Sequence, residues 1–287
     1  MKLVKHNGGL VRIKEALKYI RPAEENAARY ILENPDEVVG LSIKELAVKS
    51  QSSQAAIIRL CKNIGVEGFK ELKVRIAGDL QAMQSSDQAY KEISPNDDIK
   101  TLINSISYNN IYAIRQTLQL LDFKEVERAV EAIEAAGRID FYGAAASQII
   151  AQDAQQKFLR INKACTAYTD SHLQLTSSVT LTEKDVAVGI SYSGETTHVL
   201  EAIKISKENN ATTIGITRYG ANPLASMVDI CLTTSATESD IRSAATASRI
   251  AQLNIIDILF SSVASKNYHS SIDYLNKTRD ATQNTFR

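Results

Sequence analysis

The sequence has few cysteines and no long apolar run, and these absences exclude several classes of protein. Its 287 residues contain three cysteines, Cys61, Cys165 and Cys231, which are too few and too scattered for a disulfide framework or a zinc site. No stretch approaches the roughly 20 apolar residues of a membrane-spanning helix, and the first residues lack the apolar run of a signal peptide. We therefore expect a soluble protein of the reducing cytoplasm, with no membrane partner.

Charge is balanced over the whole chain but not along it. Lys plus Arg and Asp plus Glu both number 33, so the net charge does not indicate a polyanionic partner. Residues 1–80 hold 14 basic and 10 acidic residues, a mild positive excess that a solvated surface can also produce. With 44% hydrophobic content, the chain is long enough to build two modest cores, and we expect two domains.

The spacing of apolar residues predicts a wholly helical first part. Residues 1–80 have helical periodicity almost throughout, with Pro22 placed to begin a helix and residues 34–36 placed to end it. The polar, irregular segment 81–98 has the composition of a linker. We therefore predict an all-α domain at 1–80, a linker at 81–98 and a second domain at 99–287.

The second domain begins with two amphipathic helices, at about 99–121 and 123–136, and then alternates short apolar runs with helical ones. Such alternation predicts an α/β domain, a parallel sheet covered on both faces with ligands at the carboxyl ends of its strands. The predicted strands are 139–142, 164–168, 186–190, 212–217 and 230–233, and the predicted helices between and after them are 147–160, 196–209, 223–227 and 243–264.

Residues 42–65 predict a pair of short helices of the kind that binds DNA. Ser42 is a good N-cap, Glu45 stands where a capping box needs it, and Ser53 can cap a second helix that runs to Asn63. One side of this second helix is apolar and the other is small and basic, as entry into the major groove requires. The residues that we expect to contact DNA are Ser52, Ser53, Gln54, Ala55, Arg59, Lys62 and Lys73.

The expected DNA contacts have different roles. Arg59 can bind guanine edges, Gln54 can reach adenine or a phosphate, and Lys73 on the following helix can hold a phosphate. Short helix pairs with a polar exposed face also occur in helical domains that bind no DNA, so that alternative stays open. Gln51 and Ser52 stand where many such turns carry a glycine and an apolar residue.

A hydroxyl-rich turn follows the third predicted strand. It reads Ser-Tyr-Ser-Gly-Glu-Thr from Ser191 to Thr196 and leads directly into a helix. Hydroxyls donate hydrogen bonds, Gly194 allows close backbone approach, and the first N–H groups of a helix carry the positive end of its dipole. Because residues 187–199 contain no lysine, the turn favours a sugar monophosphate over a nucleotide held by a P-loop. Ordinary turn and capping chemistry is the alternative interpretation.

Together these features resemble the RpiR family of bacterial transcriptional regulators. The resemblance is carried by Ser42-Ile-Lys-Glu-Leu-Ala, by Arg59-Leu-Cys61 followed by Gly68-Phe69-Lys, and by the turn at 191–196. It implies an N-terminal helix-turn-helix domain and a C-terminal sugar isomerase (SIS) domain, whose flavodoxin-like sheet has five parallel strands, in a homodimer or homotetramer. Residues 153–157, 169–173 and 241–249 look like the branch that senses N-acetylmuramic acid 6-phosphate.

The resemblance also implies which residues bind the ligand, and it implies no cofactor or metal. Ser147 would face a sugar hydroxyl and cap its helix, and capping alone is an open alternative; Ala145 stands where many SIS domains carry a second glycine. Glu238 would accept hydrogen bonds from the sugar, unless it is a solvated loop residue, and Arg242 would pair with the lactyl carboxylate of a muramic acid ligand. The expected ligand-binding residues are Ser147, Ser191, Tyr192, Ser193, Gly194, Thr196, Glu238 and Arg242.

Three functions are compatible with these observations. The leading one is a DNA-binding regulator, a repressor that a sugar phosphate releases, since differential binding of about 1 to 3 kcal/mol couples two sites. The second is an SIS enzyme, an isomerase or etherase of amino-sugar phosphates, with Glu195 and Glu238 as candidate acid or base. The third is a metabolite-binding adaptor without DNA activity. The helical domain favours the first, because an enzyme has no need of a DNA-reading helix, and we expect no catalysis.

Overall fold

The chain forms two compact units, Met1–Leu120 and Leu121–Arg287. The structure, a computed structural model, describes residues 8–17, 19–83, 97–235 and 246–284. Most of the segment predicted to be a linker, 84–96, lies outside these ranges, so its bounds stay predictions. The helix expected at 99–121, at the start of the second domain, belongs instead to the first compact unit. Over the described ranges, none of the helices combines the length and apolarity needed to cross a membrane.

The first unit is helical over its described residues, as predicted. Pro22 occupies the first position of its helix, where the missing N–H costs nothing. The helix ends at Glu33 as expected, but Pro35 at once begins another short one. Its helices are α1 Gly9–Ala16, α2 Pro22–Glu33, α3 Pro35–Gly40, α4 Ile43–Lys49, α5 Gln54–Asn63, α6 Phe69–Met83 and α7 Ile99–Leu120.

Asp79, in α6, fastens the start of α1. Its carboxylate accepts hydrogen bonds from the backbone N–H groups of Gly8 at 2.6 Å and Leu10 at 2.8 Å. The first N–H groups of a helix have no partner within the helix, so an acceptor from another helix satisfies them. Burial raises the pKa of Asp79, although the hydrogen bonds from Gly8 and Leu10 oppose that shift. The beginning of α1 therefore depends on the position of α6.

The second unit is a parallel sheet of five strands in the order β2-β1-β3-β4-β5, with helices on both faces, which confirms the predicted fold class. Two helices, α10 and α14, were not predicted. The elements are α8 Phe123–Ala135, β1 Ile139–Gly143, α9 Ala146–Leu159, β2 Cys165–Thr166, α10 Ser171–Ser178, β3 Val186–Ile190, α11 Thr197–Glu208, β4 Thr212–Arg218, α12 Pro223–Met227, β5 Ile230–Thr234, α13 Thr246–Lys266 and α14 Tyr268–Asn284.

Helices cover the two faces of the sheet unequally. Alternate residues of β3 point to opposite faces, so Val188 joins the larger core, under α8, α9 and α13, while Ala187 joins a smaller one under α10, α11 and α12. Because both faces are covered, the central strands are continuously apolar, which is why they could be recognised in the sequence. The helices that follow β1 and β3 lie on opposite faces.

Candidate functional site

The loops after β1 and β3 leave the sheet side by side at its carboxyl edge. β1 and β3 are neighbours in register, with Gly143 opposite Ile190, yet α9 lies on one face and α11 on the other. At such a switch in chain direction the two loops diverge and leave a crevice, which is where open α/β sheets bind ligands. The loop at residues 191–196, hereafter the serine loop, lines this crevice.

Hydrogen bonds among its own residues set the conformation of the serine loop. Ser191 is 1% exposed, and its hydroxyl accepts a hydrogen bond from the Gly194 N–H at 3.1 Å and lies 2.8 Å from the Thr196 hydroxyl. The Ser193 hydroxyl accepts from the N–H of Glu195 at 3.2 Å. Thr196 is the N-cap of α11, but its side chain makes no capping hydrogen bond. The first turn of α11 therefore retains N–H groups that can bind an anion.

Gly194 is the point at which the serine loop admits no side chain. Its φ is +71°, in the left-handed region, and a Cβ there would lie 1.9 Å from Oδ1 of Asn222. Asn222 caps α12 by accepting from the N–H of Ala225 at 2.9 Å, and the N–H of Leu224 donates to the Gly194 carbonyl at 3.1 Å. The start of α12 thus packs directly against the loop, a contact that the sequence did not predict.

Arg218 brings a positive charge to the serine loop. It ends β4, and its own N–H donates to the carbonyl of Tyr192 at 3.0 Å. The guanidinium Nε lies 3.5 Å from the Ser193 carbonyl, and a terminal nitrogen lies 3.8 Å from the carboxylate of Glu195. The absence of lysine from residues 187–199 predicted neutral donors alone, but the neighbouring strand supplies a cation. The pairing of Ile190 with Ile216 is the signal that places Arg218 there.

The loop after β1 differs from expectation at its helix start. α9 begins at Ala146, so Ser147 lies inside the first turn and is not the N-cap; that prediction was wrong because the chain enters the helix one residue earlier. The N-cap is Ala145, with φ +49° and ψ −120°, a conformation that favours glycine. A Cβ on Gly143 would lie 2.6 Å from the Ser147 carbonyl, so helix and strand are closely packed. Contact of Ser147 with a ligand stays a prediction.

Two buried glutamines join the loops after β1 and β2. The amide nitrogen of Gln174 donates to the carbonyls of Gly143 at 2.9 Å and Tyr168 at 2.7 Å, and to the side chain of Gln148 at 3.2 Å. Gln148 in turn donates to the carbonyl of Ala167 at 3.1 Å. This link holds one side of the crevice, and nothing in the sequence spacing indicated it. Glu238 and Arg242 lie outside the described residues, so their roles stay predictions.

In the first unit, α4 and α5 form the predicted helix pair. Ser42 and Glu45 make the expected capping box, in which hydrogen bonds from the Ser42 hydroxyl and backbone lower the pKa of Glu45. The Ser53 hydroxyl caps α5 by accepting from the N–H of Ala56 at 3.1 Å. Gln51, in the turn between the helices, has φ +51°, so it takes the left-handed conformation for which such turns often use glycine. The sequence thus predicted the helix ends correctly.

The two sides of α5 are divided as predicted. The buried side is apolar and consists of Ala56, Ile57, Leu60 and Cys61. The exposed residues Gln54, Ala55, Arg59 and Lys62 are joined there by Ile58, which is 37% exposed and was not among the predicted contacts. We call these five residues the outer face of α5.

Not every predicted DNA contact is equally free to reach DNA. Ser53 is exposed, whereas Ser52 is half-buried and its hydroxyl lies 2.7 Å from that of Ser50. Lys73 donates to the carbonyl of Leu41 at 2.9 Å, and its ammonium lies 5.6 Å from the centre of the Phe69 ring. Lys73 therefore holds the chain that leads into α4. Its contact with DNA stays a prediction.

Comparison with known proteins agrees with both parts of this description. Residues 7–83 match the helix-turn-helix domain of the rpiR family, and residues 132–262 match the SIS domain. The chain is 48% identical over 271 residues to TTE0211, an uncharacterized HTH-type transcriptional regulator of Caldanaerobacter subterraneus subsp. tengcongensis, with 94% of this chain and 95% of that protein covered. It is 40% identical to YbbH of Bacillus subtilis, which has the same description, with 96% and 97% covered.

A solved structure shares the fold over nearly the whole chain. Vibrio vulnificus NanR, complexed with ManNAc-6P, matches with a TM-score of 0.61 and 25% sequence identity, covering 96% of this chain and 98% of that one. A protein of this fold has thus been solved in complex with ManNAc-6P.

Proposed function

The chain belongs to the RpiR family of transcriptional regulators, and on that premise we propose that it is a DNA-binding repressor whose SIS domain senses the 6-phosphate of an amino sugar. N-acetylmuramic acid 6-phosphate and N-acetylmannosamine 6-phosphate are the first candidates, the former from the sequence motifs and the latter because NanR binds it. Ligand binding would lower the affinity for DNA. We also propose that the protein acts as a homodimer or homotetramer.

The serine loop carries this proposal. Hydroxyls, a glycine held at positive φ and the start of α11 converge on one crevice at the carboxyl edge of the sheet. Arg218 adds a cation that can move from Glu195 to a dianionic phosphate, since its present ion pair is long, at 3.8 Å.

The geometry around the serine loop gives less support to an enzyme. A general base must lie within hydrogen-bond reach of the substrate proton. Glu195 is mostly exposed and its carboxylate faces Arg218 at 3.8 Å, so it is engaged by a cation, and Glu238 lies outside the described residues. We therefore propose a sensor and expect no turnover of sugar phosphates.

A thermal-shift experiment tests the sensor. Wild-type protein is heated with N-acetylmuramic acid 6-phosphate, N-acetylmannosamine 6-phosphate and other hexose and pentose phosphates, and a ligand that binds only the folded state raises the melting temperature. In the double variant Ser191→Ala, Ser193→Ala we expect the shift to be lost and unliganded DNA binding to be kept. The matched control is Ser261→Ala, Ser262→Ala on α13, which should keep the shift.

Three results would contradict the proposal. A shift retained in the serine-loop variant would place the site elsewhere, and release of product seen by NMR would make the protein an enzyme. Wild-type protein that selects no sequence from a random DNA pool would leave the adaptor as the remaining function.

A further inference from the structure

A buried carboxylate in the first unit holds the arginine of the outer face of α5. Glu24, in α2, is 1% exposed. One carboxylate oxygen lies 3.3 Å from Nε of Arg59, and the other accepts a hydrogen bond from the side-chain amide of Asn63 at 2.7 Å. Both partners belong to α5, so a single side chain of α2 fixes two positions on that helix.

This arrangement constrains Arg59 strongly. A carboxylate removed from water is destabilising unless it is paired and hydrogen-bonded, so Glu24 requires both of its partners. Arg59 is long and its side chain is 49% exposed, and without Glu24 it would sample many rotamers. The ion pair therefore orders a side chain that would otherwise move freely in solvent.

The ion pair involves Nε of Arg59 and leaves the two terminal nitrogens of the guanidinium available to DNA. Nε is the guanidinium nitrogen nearest to Glu24, and within the described ranges the two terminal nitrogens donate no hydrogen bond. Two parallel N–H donors are what a guanidinium uses to bind O6 and N7 of guanine in the major groove. A guanidinium that is already ordered before binding loses less conformational entropy on contact with DNA.

We propose that Glu24 is a positioning residue for DNA recognition, which holds the Arg59 guanidinium so that its terminal nitrogens meet a base edge. The inference rests on the proposed DNA-binding function and adds a residue that does not itself touch DNA. The opposite arrangement is also physically possible: Glu24 could compete with DNA for Arg59. The two arrangements predict opposite changes in DNA affinity when the charge of Glu24 is removed: affinity falls if Glu24 positions Arg59 and rises if Glu24 competes with DNA.

The experiment uses a duplex that the wild-type full-length protein selects from a random pool. The dissociation constants of wild type, Glu24→Gln, Arg59→Gln and the double variant are measured by fluorescence anisotropy on that duplex and on a scrambled one. We expect Glu24→Gln to weaken binding to the selected duplex about tenfold and to leave binding to the scrambled duplex unchanged. Glu24→Gln should add no further loss in the Arg59→Gln background.

A second selection supplies a readout that a merely structural role would not move. Repeated with Glu24→Gln, it should relax the preference at one base pair and keep the others. The matched control is Glu25→Gln, which removes the same charge from the neighbouring residue, whose ion pair with Arg29 is exposed, and it should behave as wild type.

Each failure is distinguishable from the others. Tighter or unchanged binding of Glu24→Gln would overturn the inference, whereas a wild-type protein that selects no duplex would overturn the proposed function instead. If Glu24→Gln does not fold, as judged by circular dichroism, Arg59→Lys decides, because one ammonium cannot pair with Glu24 and also make two parallel bonds to guanine. Wild-type affinity and preference in Arg59→Lys would then overturn the inference.

Discussion

In the first unit the groups expected to bind DNA stand on the outside of a helix, whereas in the second the groups expected to bind phosphate belong to a loop whose first serine, Ser191, is buried. The outer face of α5 contributes almost nothing to the core, because the opposite side of the helix packs in the interior. In the serine loop, Ser191 and Gly194 fix the conformation of the loop and are also expected to bind the ligand. We therefore expect function and stability to be separable in the helical unit, except at Arg59, which pairs with the buried Glu24, and to be joined in the sheet unit.

The substitution Gly194→Ala should give the largest combined effect on stability and on ligand binding. A methyl group would meet Asn222 and would require φ near +71°, a strain of about 1–3 kcal/mol before the clash is counted. We expect the melting temperature to fall and the affinity for the sugar phosphate, measured by calorimetry, to fall about 100-fold or more. Gly68→Ala, where an added Cβ meets no atom within 4 Å, should change neither. An intact affinity in Gly194→Ala would show that the loop is not the site.

Opposite effects are expected from the two sides of the ion pair beside the serine loop. Arg218→Gln should weaken sugar-phosphate binding about tenfold, because a charge-assisted hydrogen bond contributes about 1.5–3 kcal/mol. Glu195→Gln should strengthen it a few-fold, because Arg218 then no longer has a competing carboxylate. Calorimetric titration of both variants measures the two shifts, and a loss of affinity in Glu195→Gln would mean that the glutamate itself contacts the ligand.

The smallest change in stability is expected on the outer face of α5. Lys62 is exposed, so Lys62→Ala should alter the free energy of unfolding by no more than about 0.5 kcal/mol. If Lys62 contacts a phosphate, the slope of log affinity against log salt should fall by about 1. Urea denaturation and anisotropy titrations over a range of salt concentrations measure both. A substantial loss of stability would contradict the separation of function from core.

The sequence predicted regular structure well where apolar residues were periodic. β3 and α12 have the predicted bounds, and the ends of β1, β4 and β5 differ from prediction by one residue. α10 and α14 were missed because their sequences are polar, with no apolar stripe to mark a buried side. Their stability comes from tertiary contacts, which one sequence does not display.

The candidate sites divide in the same way. The serine loop and the two caps at Ser42 and Ser53 are local features, so their residues could be named from spacing alone. Arg218 reaches the loop from an adjacent strand, and Glu24 reaches Arg59 across 35 positions of the chain. Such partners depend on the topology, which a pattern of residues does not specify.

The hydrogen bonds from the start of α1 to the carboxylate of Asp79 have a consequence for the design of chimeric regulators. α1 is held by a carboxylate from α6 and also packs against α7, which buries Ala113 and Leu120. A fusion made within residues 84–96 would keep the hydrogen bonds between Asp79 and α1 but would remove α7. The surface of α1 that packs against α7 would then be exposed to solvent. A fusion in which the foreign sensor domain begins after Leu120 keeps all helices of the first unit, α1 to α7, together. We expect this junction to give a folded, soluble chimera.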